Sequence, residues 1–250
     1  MFSLFKNKTP RSKEDSYFPI TTDIHSHILP GIDDGSPNIE TSIELVKGLM
    51  ELGITRSIAT PHIISDMFRN DAASIGRALD ELNAELKVQN LEFEVTAAAE
   101  YMMDAYFFEL LQRKVKLLPI TGNIILTEFS YATLPHSPEQ MSFAIITEGY
   151  TPILAHPERY PYYYHDHNMY HHLQDLGFLL QINLLSLSGY YGKEAARAAN
   201  YMLKNGLVSY VGTDLHHDRH LAGLKEAVRK DVFKKALVDK EWNVFSSDIK

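Results

Sequence analysis

Cysteine is absent from the 250-residue sequence. Its absence excludes disulfide bonds, thiolate metal ligands and catalysis by a thiol nucleophile. An excess of basic residues is also missing, because 24 Lys and Arg residues are outnumbered by 32 Asp and Glu residues and the net charge is −8. Proteins that bind nucleic acid neutralise its phosphates with positive charge, so we expect no nucleic-acid partner.

Long apolar runs are missing as well. No stretch reaches the roughly 18 residues that a membrane-spanning helix requires, and residues 1–8 have too short an apolar core for a signal peptide. We therefore expect a soluble, cytoplasmic protein without membrane insertion. The chain also has no internal repeat and no linker-like tract. Residues 20–250 are predicted to form a single domain, preceded by a flexible extension at residues 1–19.

Short apolar stretches alternate with amphipathic helical patterns from residue 20 onward. The predicted strands are residues 22–28, 55–59, 93–99, 123–127, 151–155, 178–182 and 207–212. The predicted helices are residues 36–53, 71–89, 104–112, 137–148, 168–176, 193–205 and 221–240. Ser36 and Ser137 are predicted to cap the first and the fourth of these helices. Seven such units favour an α/β fold whose parallel strands close, or nearly close, into a (β/α)7 barrel; an open doubly wound sheet is the alternative.

Most of the predicted strands end in a side chain of a metal-binding type. In the first strand, His25 and His27 share one face, and the following turn brings Asp34 back toward the same end. Each such residue alone has a structural explanation, such as helix capping by Glu100. In a parallel barrel, however, the carboxyl ends of all strands meet at one rim. We therefore expect one cluster of five histidines and four acids: His25, His27, His62, His156, His216, Asp34, Glu100, Glu128 and Asp214.

The composition of this predicted cluster indicates which metals it binds. Imidazole and carboxylate ligands without sulfur suit manganese, iron, zinc or cobalt rather than calcium or a structural zinc ion. Nine ligands are more than one ion needs, so we expect two or three divalent ions, with a glutamate bridging two of them. Three divalent ions and four carboxylates would together carry a charge of about +2, which favours binding of a phosphate dianion.

Six short motifs surround these residues. They are DIHSHILPGIDDG, ATPH, AAAEY, LTEFS, AHPERY and GTDLHH. In their order and spacing they resemble the PHP (polymerase and histidinol phosphatase) superfamily, and more narrowly its bacterial metal-dependent protein-tyrosine phosphatases of capsule and exopolysaccharide systems. The resemblance runs from Thr22 to the C-terminus, and the combination of DIHSHI, IDDG, EF and HxER is specific to that branch. The chain departs from such relatives at residues 63–66, where they carry basic residues, and in its longer N-terminal extension.

The resemblance implies roles for individual residues. It implies three metal positions: His25, His27, Glu100 and Asp214 at the first, Glu100, Glu128 and His156 at the second, and Asp34, His62 and His216 at the third. Arg159 matches the phosphate-binding arginine of the family. Arg219, which follows the last ligands, is a candidate for a second phosphate contact, and a plain surface arginine is the alternative.

The resemblance also implies an activity. It implies a distorted (β/α)7 barrel, manganese as the preferred metal, and a phosphoric monoester hydrolase that dephosphorylates tyrosines on a polysaccharide-polymerising tyrosine kinase. Without a cysteine, we expect a metal-activated hydroxide to attack phosphorus while Arg159 holds the phosphate oxygens, with Asp214 or a histidine as the candidate proton donor. A small-molecule phosphatase, such as a histidinol-phosphate phosphatase, and a non-catalytic metal-binding regulatory domain are the alternatives.

A tract rich in aromatic and imidazole groups, YPYYYHDHNMYHH at residues 160–172, directly follows Arg159. We expect a partly exposed lid or substrate-facing loop that stacks on a phosphotyrosine ring; a packed surface loop is the alternative. Seven further histidines are expected to lie outside the metal set: His136, His165, His167, His171, His172, His217 and His220.

Overall fold

The computed structural model describes residues 18–238 and 240–245. The predicted flexible extension therefore lies almost wholly outside the described residues. Within these ranges, no helix combines the length and the apolar character that a membrane crossing would need. Nine strands are present in the described chain: β1 Thr22–Asp23, β2 Arg56–Ala59, β3 His62–Ile63, β4 Glu94–Ala97, β5 Glu100–Met102, β6 Ile124–Glu128, β7 Thr151–Ala155, β8 Leu179–Asn183 and β9 Val208–Gly212.

The strands pair in parallel throughout. They form a three-stranded sheet in the order β1-β2-β4 and a six-stranded sheet in the order β3-β5-β6-β7-β8-β9. Because β3 follows β2 and β5 follows β4 after two residues each, the nine strands correspond to the seven predicted βα units. The α/β class with parallel strands is confirmed, whereas the predicted barrel is observed as two separate sheets.

The first strand is much shorter than predicted. Pairing with β2 stops at Asp23, and the following residues instead contact the end of β9, where Ser26 forms an isolated parallel bridge with Leu215. His27 donates its backbone N–H to the Leu215 carbonyl at 2.9 Å, and Asp214 donates its own to the His25 carbonyl at 2.8 Å. These bonds fix the predicted ligand-bearing segment beside the carboxyl end of β9.

Nine α-helices connect and cover the strands of the described chain. They are α1 Ile39–Glu51, α2 Ala72–Val88, α3 Ala105–Gln112, α4 Pro138–Thr147, α5 Asn168–Asp175, α6 Leu184–Leu187, α7 Lys193–Lys204, α8 Asp218–Arg229 and α9 Val232–Leu237. Two 3-10 turns, Pro157–Arg159 and Pro161–Tyr163, lie between β7 and α5.

Capping side chains explain where several helices begin. Ser137 accepts a hydrogen bond from the Gln140 amide, which confirms the predicted cap of α4. The predicted cap of α1 is wrong, because Asn38 rather than Ser36 accepts from the first turn of that helix. The predicted single helix at residues 221–240 is also wrong. It begins earlier and is divided into α8 and α9 at Asp231, whose φ of 57° is incompatible with a continuous right-handed helix.

The core holds the strand ends in place. Apolar side chains from the strands and from the inner faces of the helices form one large buried cluster. A second, smaller cluster includes Ile58, Leu126 and Ile153, which lie within β2, β6 and β7. Burial of such side chains contributes about 1.5–3 kcal/mol each, so the strands form a rigid support for the polar residues at their carboxyl ends.

Candidate metal centre

Strand register brings the predicted ligands together. His62 pairs with Glu100 between β3 and β5, and Glu128 ends the neighbouring strand β6. His156 and Asp214 follow β7 and β9, and both adopt left-handed backbone angles, with φ of 38° and 50°. Such angles are rare for residues other than glycine and often mark functional sites. His156 comes directly after β7, and Asp214 lies two residues beyond the end of β9.

A second local requirement lies in the turn that returns Asp34 to the cluster. The Gly35 amide donates to Asp33 at 3.0 Å, which closes this turn beside His27. A Cβ atom on Gly35 would overlap the carbonyl oxygen of His27. Only glycine therefore allows the turn to pass this close to the histidine.

Glu100 lies at the centre of the cluster. Its Oε2 is 3.2 Å from His25 Nε2, 3.4 Å from His27 Nε2 and 3.1 Å from His62 Nδ1. Its other oxygen, Oε1, is 3.2 Å from His156 Nε2. The Glu100 carboxylate is completely buried, so both of its oxygens face these rings and not solvent. This is the geometry expected of a carboxylate shared between metal positions.

All nine predicted ligands belong to this cluster. Their donor atoms form four groups that are compact enough to hold an ion: His27, Asp34, His62 and His216; His25, His27 and Glu100; His25, His156 and Asp214; and His62, Glu100 and Glu128. These groups differ in part from the implied assignment, since His62 rather than His156 accompanies Glu100 and Glu128. The assignment of ligands to individual ions stays a prediction.

Some buried nitrogen and oxygen atoms of the cluster have no hydrogen-bond partner among the described residues. Several atoms that face its centre have no hydrogen-bond partner in the protein: His25 Nε2, His27 Nε2, His62 Nδ1, Glu100 Oε1, Glu100 Oε2 and Glu128 Oε1. A buried polar atom left unsatisfied costs about 1–3 kcal/mol, and groups of this type in native proteins normally have a partner. Nitrogen and oxygen donors that converge in this way fit divalent metal ions.

The charges of the cluster also favour bound cations. Burial raises the pKa of Glu128, and the neighbouring Glu100 carboxylate raises it further. Burial lowers the pKa of His62, but Glu100 and Glu128 outweigh this effect and bring it to about 9. Burial would raise the pKa of Asp214, yet His25, His216 and Arg159 hold it well below its usual range. The acids thus require positive charge close by, whether from protons or from metal ions.

Hydrogen bonds outside the cluster orient three of the imidazole rings. His27 Nδ1 lies 2.8 Å from Asp33 Oδ2, and His216 Nδ1 lies 2.9 Å from the Asp214 carbonyl oxygen. His25 Nδ1 lies 2.8 Å from Gln181 Oε1. Each contact leaves the other ring nitrogen directed at the cluster, as is usual for metal-binding histidines. Gln181 was not identified from the sequence, since nothing in the pattern of a buried strand distinguishes it.

A cavity of about 260 Å³ opens over the cluster. Its walls contain ten residues: Asp34, His62, Glu128, Tyr131, His156, Arg159, Asp214, His216, His217 and His220. His217 and His220, which are predicted to lie outside the metal set, form part of this wall. Arg219 is exposed at the start of α8 and is not among the lining residues.

Arg159 is held firmly at this cavity. Its Nη1 donates to Asp214 Oδ2 at 2.6 Å, and its guanidinium carbon lies 4.1 Å from the Tyr191 ring centre and 5.1 Å from that of Tyr131. The side chain keeps 25% of its surface exposed. An arginine fixed by one carboxylate and two aromatic rings retains donors for an anion in the cavity.

Three of the five tyrosines in the aromatic tract after Arg159 are packed in the core. Tyr160, Tyr163 and Tyr170 are buried in the core, and the Tyr160 hydroxyl donates to the Ala155 carbonyl at 3.0 Å. These three tyrosines therefore do not form the expected substrate-facing surface. Tyr131 lies at the cavity wall and keeps 39% of its surface exposed. Sequence reasoning missed it because the loop after β6 has no periodic pattern.

Comparison with known proteins gives a consistent result. The model of the family "Capsular polysaccharide synthesis, CpsB/CapC" matches residues 21–247. Tyrosine-protein phosphatase YwqE of Bacillus subtilis is 31% identical over 195 residues, which cover 78% of this chain and 77% of that one. A putative tyrosine-protein phosphatase, CapC of Staphylococcus aureus, is 29% identical over 194 residues, covering 78% and 76%.

A solved structure is similar over nearly the whole chain. It comes from work on YwqE of Bacillus subtilis and CpsB of Streptococcus pneumoniae, described as metal-dependent tyrosine phosphatases. The TM-score is 0.74 at 27% identity, and the match covers 90% of this chain and 96% of the other.

Proposed function

The chain belongs to the CpsB/CapC family of capsular polysaccharide synthesis, and from this premise we propose that it hydrolyses phosphotyrosine in proteins with divalent metal ions bound around Glu100. Its similarity to the tyrosine-protein phosphatases YwqE, CapC and CpsB supports this activity. The observation that carries the proposal is the convergence of unpartnered buried nitrogen and oxygen atoms beside a fixed arginine.

The metal ions would be held by the nine residues of the cluster. Two or three ions, preferably manganese, fit a set of imidazoles and carboxylates without sulfur. When bound, such ions supply positive charge for the phosphate oxygens and lower the pKa of water. The buried carboxylates would hold these ions in place, and hydrolysis of this kind needs no protein nucleophile, in agreement with the lack of cysteine.

Arg159 binds the phosphoryl group. Planar guanidinium groups pair with two oxygens of a phosphate, and Arg159 is already fixed at the cavity by Asp214 and by two tyrosine rings. Asp214 therefore has two roles, since Oδ2 positions Arg159 while Oδ1 faces the cluster. The phenolate that leaves is a tolerable leaving group because its parent phenol has a pKa of about 10.

Tyr131 contacts the aromatic ring of the substrate. Tyr131 is exposed at the cavity wall, and Arg159 lies against its ring. The ring of a phosphotyrosine could therefore stack on Tyr131 while its phosphate contacts Arg159. The substrate class that fits is a phosphotyrosine protein. Given the family, we place this protein in polysaccharide synthesis, with a tyrosine kinase as the expected partner.

We also infer that the strands close into a distorted (β/α)7 barrel. The bridge between Ser26 and Leu215 joins the segment after β1 to the segment after β9, the two edges that must meet for closure. The bond from the His27 amide to Leu215 supports the same contact.

Comparison of substrates tests the proposal. Purified protein with manganese should hydrolyse a phosphotyrosine peptide with a higher kcat/KM than histidinol phosphate. The reverse preference would indicate a small-molecule phosphatase. Failure of the metal-loaded protein to hydrolyse even para-nitrophenyl phosphate would indicate a metal-binding domain without catalysis.

A further inference from the structure

A continuous chain of hydrogen bonds runs behind the cluster from His25 to Asp214. Gln181 Oε1 lies 2.8 Å from His25 Nδ1, and Gln181 Nε2 donates to Asn183 Oδ1 at 3.0 Å. Asn183 Nδ2 then donates to Asp214 Oδ2 at 2.6 Å. Each of the four residues is at most 1% exposed, so water does not compete for these bonds.

The direction of every bond in this chain is fixed. The Asp214 carboxylate accepts from Arg159 and can only accept from Asn183, so the Asn183 amide nitrogen must face it. Asn183 Oδ1 must then accept from the Gln181 nitrogen, which leaves only Gln181 Oε1 for His25. His25 as a metal ligand therefore carries its proton on Nδ1, and Nε2, which lies 3.2 Å from Glu100 Oε2 and 3.4 Å from Asp214 Oδ1, is the ring atom left to bind a metal ion.

The other end of the chain is directed in the same way. Asp214 Oδ2 is occupied by Asn183 and Arg159, both at 2.6 Å. Its Oδ1 remains, and it lies 3.4 Å from His25 Nε2 and 3.6 Å from His27 Nε2. The side-chain amides of Gln181 and Asn183 thus direct His25 Nε2 and Asp214 Oδ1 toward the same part of the cluster.

The surrounding sequence is built to accommodate this chain. Gln181 and Asn183 share one face of β8 because side chains alternate along a strand. Gly212 on β9 pairs with Asn183 on β8. A Cβ atom at Gly212 would lie 2.7 Å from His25 Cβ and 3.0 Å from Gln181 Nε2. Glu158 accepts from the backbone N–H of Asn183 at 2.8 Å and from the Ser186 hydroxyl at 2.6 Å, which fixes the end of β8.

We propose that Gln181 and Asn183 are positioning residues that act as one unit, setting the ring tautomer of His25 and the free oxygen of Asp214 for metal binding. This inference rests on the proposed metal site. It also explains why β8 ends in an amide, whereas the strands beside it end in or lead to histidine or acid: Asn183 holds a ligand rather than being one.

Cobalt(II) titration of metal-free protein, followed by visible absorption, tests the proposal. The absorption reports both the affinity and the ligand geometry of the site, and a general loss of stability does not by itself change the spectrum. The proteins are the native chain, Gln181→Met, Asn183→Ala and the double variant. Ser142→Ala is the control, because it removes a hydrogen bond from the Ser142 hydroxyl on α4 to the Leu176 carbonyl at the end of α5, outside the cluster. Thermal unfolding verifies that each variant is folded.

We expect each single variant to bind cobalt about 10- to 100-fold more weakly with an altered spectrum, as is typical when an outer partner of a metal ligand is removed. The double variant should bind cobalt only about threefold more weakly than the weaker-binding of the two single variants, because either substitution alone already interrupts the hydrogen-bond chain. Losses that multiply would show that the two amides act separately and would overturn the proposal. Native cobalt affinity in Gln181→Met would also overturn the proposal. This variant alone is a sufficient test if Asn183→Ala does not fold. A native protein that binds no cobalt would overturn the metal site itself, whereas native-like binding by the variants would overturn only the coupling.

Discussion

Arg159 and Asp214 are joined by a 2.6 Å bond between Nη1 and Oδ2. The same carboxylate directs Oδ1 at His25 and His27. One buried side chain therefore connects the arginine proposed to bind phosphate to the cluster proposed to bind metal, and it lies just after the end of β9.

Replacement of Arg159 should abolish catalysis but not metal binding. Arg159→Ala should reduce kcat/KM for a phosphotyrosine peptide by about 10²–10³-fold, because a positioned donor to the developing charge is lost. Metal content, measured by mass spectrometry on the same samples, should stay at the native value. Arg113→Ala serves as the control, since Arg113 pairs with Glu109 on the surface of α3. Loss of metal together with activity in Arg159→Ala would contradict separate roles.

Replacement of a central ligand should remove metal and activity together. His25→Ala and Glu100→Gln each eliminate a donor that faces several others within 3.4 Å, so at least one ion should be lost. Turnover should fall below one per cent of native. Glu139→Gln is the matched control, because Glu139 pairs with His172 on the surface. An active His25→Ala protein that contains no metal would be incompatible with the proposed site.

Removal of metal should lower the thermal stability. At a hundredfold excess over the dissociation constant, a ligand that binds only the folded state stabilises it by about 2.7 kcal/mol. For a chain of this length, that corresponds to a fall in Tm of about 5–10 °C after chelation. Differential scanning calorimetry, with manganese added back, measures the effect. An unchanged Tm would argue that the buried acids and imidazoles are satisfied without metal.

Replacement of Tyr131 should weaken substrate binding. Tyr131→Ala should raise KM for a phosphotyrosine peptide by up to about tenfold, because an aromatic pair contributes roughly 0.5–1.5 kcal/mol. Tyr131→Phe retains the ring and should stay within about twofold of native. Steady-state kinetics on both variants make the comparison. Equal losses in both would assign the effect to the hydroxyl group, which lies 3.1 Å from His156 Nδ1.

The sequence predicts the cluster better than it predicts the surroundings of the cluster. The ligands could be identified because each follows an apolar strand, and parallel strands bring their carboxyl ends to one edge. Gln181 and Asn183 could not be assigned in the same way, because their contacts depend on the register between β8 and β9, which is set by residues far apart in the chain. Tyr131 lies in a loop whose conformation no local pattern encodes.

Helix boundaries show the same contrast between local and long-range information. Ser137 was identified as a cap because serine followed by proline is a strong local signal. Ser36 has the same signal, but its hydroxyl donates to the Asn38 carbonyl, and Asn38 takes the capping position two residues later. The break at Asp231 has no such signal. Its left-handed backbone conformation cannot be read from the sequence, because aspartate is also common on the exposed surface of helices.

The central claim is that metal bound around Glu100 performs the hydrolysis. Titration of metal-free protein with manganese, measuring bound metal and phosphotyrosine turnover in the same preparation, tests this most directly. Activity should be absent at the start and should increase with metal content until the two or three proposed positions are filled, whereas Glu100→Gln should remain inactive at every manganese concentration. Full turnover by the metal-free native protein, or by metal-free Glu100→Gln, would contradict the claim.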